Sequence, residues 1–334
     1  MKQTVLRLMH ESGAFTAFRL ANRHKALVLT YHRFSEDGRD GSTSARALAE
    51  HLEYLGEHYR LVSLATLVEH LRRPGPLPAG LAAITIDDGY RDAREVALPI
   101  LRRYDAPATL FAVTRFVDGQ DWLWTDKLQY VVLNTKAVRF EGEVNGQPFH
   151  FVFKDRASRI HAAERLKSCL KAVTEGVKQE KLATIAELLD VEPPARAPEE
   201  YAGITWQEAR ELEAGGIEVG SHTLTHPVLT QVGDAQLERE LGESKARLEA
   251  ELHRPVELLC YPNGNIDARI LRAAKRAGYR AAVTVEEGFN EKPCDLLALR
   301  RVHSETDLAH FVQRTSGFEQ MKNRLRYALA KTAS

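Results

Sequence analysis

The sequence predicts an α/β fold, arranged as a distorted (β/α) barrel of seven strands with an inserted α+β segment. Short apolar runs alternate with helix-like stretches, which is the pattern of a parallel sheet. The runs are apolar at successive positions, as expected for strands covered on both faces. An open doubly wound sheet is the alternative, but no Gly-x-Gly-x-x-Gly sequence follows an early strand.

Seven apolar runs are the predicted strands, a number that suits a barrel in roughly 300 residues. They cover residues 25–31, 81–86, 108–113, 217–220, 256–260, 280–285 and 298–302. Predicted helices between them cover residues 44–58, 90–104, 205–214, 235–252 and 267–277. Thr205 and Glu208 form a capping box at the start of one helix, and Gly278 is a stop signal after another.

One stretch, residues 119–201, breaks this alternation and is predicted to be an insertion in a barrel loop. It contains a predicted hairpin with strands 138–144 and 147–153, joined by Asn145-Gly146 in a type I′ turn. Two helical runs, residues 157–173 and 179–189, follow the hairpin. The predicted domains are therefore an N-terminal helix, a barrel in two parts, the inserted segment, and a C-terminal helix or tail: residues 1–24, 25–118 with 202–318, 119–201, and 319–334.

Length, charge and cysteine content limit the class of protein. A chain of 334 residues corresponds to about two domains at ~150 residues each, or to one barrel with additions. Basic and acidic residues are equal in number, 46 of each, which argues against a dedicated nucleic-acid-binding protein. The three cysteines, Cys169, Cys260 and Cys294, are too few and too scattered for a disulfide scaffold or a cysteine-based zinc site.

The N-terminal residues carry no recognisable targeting signal. Residues 1–25 lack an apolar run long enough for a signal peptide, and no stretch of ~18 apolar residues predicts a transmembrane segment. We therefore expect a cytoplasmic location. Residues 1–22 resemble an amphipathic helix, for which packing on the protein's own core is favoured over peripheral contact with a membrane surface.

Two adjacent acids, Asp87 and Asp88, end an apolar strand in the run Thr85-Ile86-Asp87-Asp88-Gly89-Tyr90. Ligands bind at the carboxyl ends of parallel strands, so one carboxylate there can hold a metal while the other faces a substrate. The structural alternative is an N-cap for the helix that begins near Tyr90. A single cap needs one acid, and two acids in apolar surroundings exceed that need.

A second polar cluster contains His222 and His226, which also follow a short apolar strand. Histidines four residues apart share one face of a helix and can reach one metal. This spacing alone is weak evidence. Together with a carboxylate, however, two imidazoles leave coordination positions open, as in a catalytic metal site. Zinc is the first choice, and cobalt, nickel or iron also suit these ligands.

These two motifs, in this order, resemble those of the polysaccharide deacetylase family, also called carbohydrate esterase family four. The family carries Thr-Phe-Asp-Asp-Gly and then His-Ser/Thr-x-x-Ser/Thr-His, and here Ile86 replaces the usual Phe. The resemblance extends over residues 27–120 and 202–302. It implies a distorted barrel in which Asp87 is the catalytic base and one divalent metal is held by Asp88, His222 and His226.

A third motif, residues 259–264, resembles the Phe-Ala-Tyr-Pro-x-Gly form of the biofilm poly-N-acetylglucosamine deacetylases. Cys260 stands where many family members carry an arginine that orients the base. The resemblance implies that a backbone amide near Tyr261 holds the oxyanion. A plain turn after a strand is the structural alternative. Candidate substrate contacts are Tyr90, Pro262 and Trp124, although Trp124, like Trp122 and Trp206, suits a core equally well.

The general acid is the least defined group. The usual late Leu-x-x-x-His motif has no clear copy, but Val28-Leu29-Thr30-Tyr31-His32 resembles the early segment of the biofilm-type members. This resemblance assigns His32 as the acid, with His303 as the competitor. Arg301 falls where these members carry an arginine, and it is expected to pair with Asp87 in place of the missing one.

Together these features predict a metal-dependent hydrolase that removes N-acetyl groups from an N-acetylated sugar, oligosaccharide or polysaccharide and releases acetate. The expected partner is an N-acetylated glycan, such as one in exopolysaccharide biosynthesis, or a lipid-linked sugar, and no nucleic acid. Hydrolysis of another non-peptide C–N bond, in an amide or a ureide, is the second hypothesis. A catalytically silent carbohydrate-binding protein is the third, and the presence of every core residue argues against it.

Overall fold

The computed structural model describes residues 12–144 and 146–322, and seven parallel strands close into a barrel at its centre. In chain order the strands are β1 (Leu27–Tyr31), β2 (Phe34–Ser35), β3 (Thr43–Ser44), β4 (Arg60–Leu61), β5 (Leu81–Ile86), β6 (Ala108–Ala112), β7 (Arg139–Val144), β8 (Gln147–Val152), β9 (Ile217–Ser221), β10 (Leu258–Cys260), β11 (Ala281–Glu287) and β12 (Leu299–His303). Around the barrel the order is β1, β12, β11, β10, β9, β6 and β5, and β5 pairs again with β1. This confirms the predicted α/β class and the seven-stranded barrel.

Helices surround the barrel and alternate with its strands. In chain order they are α1 (Phe15–Ala21), α2 (Ala45–His58), α3 (Leu64–Arg72), α4 (Leu98–Arg103), α5 (Thr114–Val117), α6 (Trp124–Asn134), α7 (Arg156–Leu170), α8 (Glu175–Leu188), α9 (Trp206–Ala214), α10 (Asp234–Leu252), α11 (Ala268–Arg276) and α12 (Leu308–Thr315). The capping box predicted for α9 is present, with Thr205 and Glu208 each bonded to the backbone of the other.

The helix predicted over residues 90–104 is present over residues 92–103, but it is not a regular α-helix throughout. A π-helical turn, Ala93–Ala97, comes first, and α4 follows it with Pro99 in its first turn. Proline has no N–H to donate to the carbonyl four residues earlier, so the regular α-helical ladder is interrupted at this point.

The barrel strands are apolar at successive positions because both of their faces are covered. Every residue of β1 is buried. Leu27 and Leu29 belong to one hydrophobic cluster, whereas Val28, between them, belongs to another. Since neighbouring side chains of a strand point to opposite sides, the two clusters lie on the two faces of the sheet.

Residues 119–201, the inserted segment, form α6, the hairpin of β7 and β8, and then α7 and α8. Its apolar side chains make a cluster of their own that includes Leu128, Phe140, Leu166 and Ile185. The hairpin pairs Val144 with Gln147 and confirms the predicted two-residue connection. The predicted type I′ turn depends on residue 145, which lies outside the described residues. The domain limits at residues 119 and 201 stay a prediction.

The two ends of the described chain pack against each other. The rings of Phe15 and Phe18 meet the edge of Phe318, with centroids 5.7 and 5.0 Å away. Of the predicted terminal segments, the structure describes α1 and a helical turn over residues 318–322. Residues 1–11 and 323–334 lie outside the described residues. No helix in the described part of the chain is both long and apolar enough to cross a bilayer.

Candidate active site

The carboxyl ends of the barrel strands meet around a cavity of about 350 Å³. Strand pairing brings the motifs together: the Asp87 N–H donates to the Tyr31 carbonyl (2.9 Å), and the His222 N–H donates to the Ala112 carbonyl (2.9 Å). The cavity wall contains nearly all of the predicted site residues: His32, Asp87, Asp88, Trp124, His222, His226, Tyr261, Pro262, Arg301 and His303. A larger cavity of about 750 Å³ adjoins it and shares His32, Asp88 and Thr125.

Asp88, His222 and His226 form a compact set of metal-ligand atoms. Asp88 Oδ1 lies 3.4 Å from Nε2 of His222 and 3.4 Å from Nε2 of His226. His222 Nδ1 lies 2.8 Å from the Cys260 carbonyl, which can only accept, so Nδ1 carries the proton and Nε2 keeps its lone pair for a metal. One carboxylate and two imidazoles fit a divalent metal that keeps open coordination positions.

The two histidines converge by a different route from the one predicted. Residues 222–226 form a loop and not a helix, so the expectation that both imidazoles share a helical face is wrong. Thr223 (φ 69°) and His226 (φ 60°) both adopt left-handed backbone conformations that a helix does not contain. Asp88 (φ 76°) is left-handed as well, and this turn separates its carboxylate from that of Asp87.

The glycine of the Asp-Asp-Gly motif has a steric role. Gly89 has φ +87°, and a Cβ atom placed on it would lie 3.3 Å from the Ala112 Cα. A larger residue would push the turn that carries Asp87 and Asp88 away from β6.

Asp87 forms a buried, two-pronged ion pair with Arg301. Nη1 lies 2.7 Å from Asp87 Oδ1, and Nη2 lies 2.8 Å from Oδ2. The guanidinium also donates to the Thr284 carbonyl (2.7 Å) and the Thr85 hydroxyl (3.1 Å). Burial alone raises the pKa of the Asp87 carboxyl, but the charge and hydrogen bonds of Arg301 outweigh it and hold this pKa well below its usual range.

Arg301 therefore occupies the position expected for the missing arginine of the third motif, although it comes from β12 and not from β10. Cys260, at the end of β10, places its Sγ 3.5 Å from Asp87 Oδ2 and 3.3 Å from Arg301 Nη2. A long side chain at residue 260 would compete for the space that Arg301 fills, which explains why a small residue accompanies an arginine on β12.

The two candidate acids differ in their surroundings. His32 Nε2 lies 3.7 Å from Asp87 Oδ2, and its side chain is 47% exposed in the cavity mouth. His303 lies deeper in the wall. Burial and, after it, the positive charge of Arg301 lower the pKa of His303 to about 4.

Tyr261 does not present its own amide to the cavity. Its N–H donates to the Val283 carbonyl at 3.2 Å, and its hydroxyl donates to the Leu297 carbonyl at 2.9 Å. Pro262 has no N–H. The next amide along the chain belongs to Asn263, which lines the cavity and makes no backbone hydrogen bond through its N–H within the described residues. Asn263 therefore has a backbone N–H without a backbone acceptor among the described residues, at the position where the sequence predicts an amide near Tyr261.

The predicted aromatic contacts separate into two groups. Trp124 lies in the cavity wall, with the Lys178 ammonium 4.7 Å from its ring centre. Tyr90 lines the adjoining cavity instead, because its hydroxyl donates to Asp126 (2.6 Å) and the Arg33 guanidinium covers its ring. Trp122 and Trp206 are outside both cavities: their indole N–H groups donate to the Pro194 carbonyl and the Asp118 carboxylate.

Sequence reasoning missed three polar residues that line the cavity and one that supports a loop beside it. Thr125 and Lys171 come from the inserted segment, where no motif marks them. Asn263 was within the third motif, and the missing N–H of Pro262 was the signal that could have identified it. Glu240, on α10, touches the loop of His222 and His226 and carried no signal in a helix rich in glutamate.

Comparisons with known proteins agree with this geometry. A family model described as polysaccharide deacetylase matches residues 75–164 and 173–282. The Bacillus subtilis protein YxkH, named for the same family, is 30% identical over 99 residues, which are 30% of this chain and 36% of that protein. The alignment thus spans about a third of the curated relative.

Solved structures share the fold at low identity. The deacetylase PplD of Streptococcus pyogenes, in complex with acetate, has a TM-score of 0.59 at 19% identity and covers 88% of this chain and 99% of its own. IcaB from Ammonifex degensii has a TM-score of 0.58 at 20% identity, with 87% and 97% covered. The BpsB deacetylase domain from Bordetella bronchiseptica has a TM-score of 0.53 at 14% identity, with 84% and 96% covered. The family model matches more than half of the chain, which belongs to the polysaccharide deacetylase family.

Proposed function

We propose that the protein is a metal-dependent hydrolase that removes the N-acetyl group from an N-acetylated sugar, oligosaccharide or polysaccharide. The observation that carries this proposal is the adjacency of Asp87, buried and ionised by Arg301, to the ligand set of Asp88, His222 and His226. A silent carbohydrate-binding protein would have no need to bury an ionised carboxylate beside open metal ligands.

Asp88, His222 and His226 would hold the metal, with zinc as the first choice among zinc, cobalt, nickel and iron. A divalent metal bound here would act as a Lewis acid toward water and the acetyl carbonyl. The two imidazoles offer Nε2 and the carboxylate offers Oδ1, so no ligand atom needs to be drawn from Asp87.

Asp87 is proposed as the general base. Its pKa lies far below neutrality, so it is ionised whenever water arrives and can accept one of the water protons. The water oxygen forms a bond to the acetyl carbon, and the negative charge that develops on the carbonyl oxygen is within the reach of a backbone N–H, which we assign to Asn263.

His32 is proposed as the general acid. When the C–N bond breaks, the sugar nitrogen must receive a proton, and His32 lies at the open side of Asp87 where a leaving amine departs. The products are acetate and a free amino sugar. His303 suits this role less well, because a pKa of about 4 leaves its ring without an extra proton at neutral pH.

The inserted segment supplies the substrate wall through Trp124, Thr125 and Lys171. The Trp124 indole suits the face of a sugar ring. Lys171 forms no ion pair with any described residue, so its ammonium is available to a phosphate or carboxylate group on the substrate. This favours an N-acetylated sugar with an anionic substituent, as in a lipid-linked sugar, over a wholly neutral one.

Membrane contact through residues 1–22 and a cytoplasmic location stay predictions. The ring contacts of Phe15 and Phe18 with Phe318 support packing of α1, the described part of this segment, on the protein itself.

Asp87→Asn should abolish acetate release, because the amide cannot accept the water proton. We expect a loss of about 10²–10⁴-fold with unchanged metal content. Acetate release would be measured from N-acetylglucosamine oligomers and from a lipid-linked acetylated sugar, with zinc-loaded wild type as the reference. Wild type that releases no acetate from either substrate, with its metal site filled, would contradict the proposed function.

His32→Ala and His303→Ala should separate the two candidate acids. Loss of the proton donor lowers kcat by about 10²–10⁴-fold, which we expect for His32→Ala alone. His303→Ala is the matched control, since it removes an imidazole from the same cavity. A large loss of kcat in His303→Ala with little change in His32→Ala would assign the general acid to His303.

Arg301→Gln should destabilise the fold and change the pH dependence. In the variant the buried Asp87 carboxylate has no cation beside it, which lowers the free energy of unfolding by about 3–5 kcal/mol relative to wild type. This difference is expected above pH ~4, because the ion pair stabilises the wild-type fold only where Asp87 is also ionised in the unfolded chain. Without the opposing charge of Arg301, burial raises the pKa of Asp87 above its wild-type value, so the acid limb of kcat/KM moves to higher pH. Denaturant unfolding measures the change in stability, and a pH–rate profile measures the shift of the acid limb.

Arg300→Gln, which alters a half-exposed neighbour paired with Glu286, is the control. An unmoved acid limb would argue against Asp87 as the base.

Lys171→Met should discriminate between charged and neutral substrates. We expect kcat/KM to fall about tenfold for N-acetylglucosamine 1-phosphate and to change little for the neutral methyl glycoside, because one ion pair is lost. Lys167→Met is the control, since the Lys167 ammonium is already bonded to Gln129 and Glu164. Equal losses on both substrates would rule out recognition of an anionic group by Lys171.

A further inference from the structure

The loop between the two histidines is held from outside the cavity by α10. Glu240 Oε2 accepts the N–H of Leu224 (3.0 Å) and the N–H of Thr225 (2.9 Å). Its Oε1 accepts the Thr225 hydroxyl at 2.5 Å. One side chain therefore fixes two successive amides and a hydroxyl of the loop, midway between His222 and His226.

A second contact lies one helical turn farther along α10. The hydroxyls of Ser244 and Ser221 are 3.0 Å apart, and the Ser221 hydroxyl accepts the N–H of Thr223 at 3.2 Å. Tyr279 supports Ser244 from the other side, with its hydroxyl 3.3 Å away. Glu240 and Ser244 thus hold both the start and the middle of the loop.

The loop needs such support because its backbone is in sparsely populated conformations. Thr223 and His226 are β-branched or bulky residues with φ of 69° and 60°. Conformations of this kind persist only when surrounding contacts impose them. The Thr223 hydroxyl adds one contact within the loop by accepting the His226 N–H at 3.1 Å.

The burial of Glu240 argues that its position serves the loop. The residue is 2% exposed, and no lysine, arginine or histidine forms an ion pair with it in the described part of the chain. A buried carboxylate without a cation is costly, and a neutral side chain would be the more stable choice for packing alone. A carboxylate at this position can accept several hydrogen bonds at once, from the N–H groups of Leu224 and Thr225 and from the Thr225 hydroxyl.

We propose that Glu240 is a positioning residue that presets the loop of residues 222–226 for metal binding. This inference rests on the proposed function, since it assumes that Asp88, His222 and His226 hold a metal. Glu240 touches neither the metal ligands' side chains nor the cavity, so its contribution is to metal affinity and not to the chemical step. Without Glu240 the loop relaxes. Each metal-binding event must then reposition the two Nε2 atoms, and this reorganisation lowers the affinity for the metal.

Glu240→Gln is the test, made in the full-length chain. The amide keeps the size of the side chain but has one acceptor oxygen and turns N–H groups toward backbone donors. We expect the Kd for zinc, measured by competition with a chromogenic chelator, to rise about 10–100-fold. At saturating zinc, kcat for acetate release should return close to wild type, which a general structural defect would not allow.

Two further variants keep the test decisive. Glu243→Gln changes a glutamate on the same helix that is 56% exposed and faces Arg239, and it should bind zinc as wild type does. Thr225→Val removes only the hydroxyl contact and serves if Glu240→Gln fails to fold; a several-fold rise in Kd is expected.

The outcomes distinguish this inference from the proposed function. Equal zinc affinity in wild type, Glu240→Gln and Thr225→Val would overturn the inference. A selective loss of affinity in the two loop variants supports it, even if no acetylated sugar is a substrate. Wild type that binds zinc tightly but releases no acetate would contradict the proposed function alone.

Discussion

The buried pair of Asp87 and Arg301 is the interaction on which the rest of the site depends. It joins the end of β5 to β12 across the barrel interior, and the Arg301 guanidinium also engages the Thr284 carbonyl of β11. Both side chains are almost fully buried, so each charge is tolerable only with the other present. The pair forms only when the strands are in register, so barrel closure is what brings the two charges together.

The next level of organisation separates two neighbouring acids. Asp87 continues the strand ladder through its N–H, whereas Asp88 turns into the left-handed region and faces His222 and His226. Gly89 allows this turn to lie against β6. The two carboxylates thus face different partners, Arg301 for Asp87 and the two histidines for Asp88, although adjacent residues in a regular strand would simply alternate between faces.

The barrel could be predicted from the sequence because each covered strand is recognisable from its own residues. Continuous apolar runs such as Leu81–Ile86 mark covered strands whatever their neighbours are. The grouping of Asp88, His222 and His226 could also be predicted, because the motifs that contain them lie at strand ends. The path of the chain between His222 and His226 could not be read in this way, since spacing alone does not distinguish a helical turn from a loop that α10 holds. Lys171 lines the cavity and Glu240 contacts the loop only because the fold brings segments distant in sequence together, so no local pattern indicates them.

The inserted segment packs around its own apolar cluster yet contributes Trp124, Thr125 and Lys171 to the cavity. The candidate catalytic groups and this part of the cavity wall therefore come from separate parts of the chain. Substitutions on that wall leave the strand ends, their charges and their hydrogen bonds as they were. Under the proposed function, a change in the inserted segment would alter which glycans fit the cavity, while the groups proposed for the reaction would stay in place on the barrel.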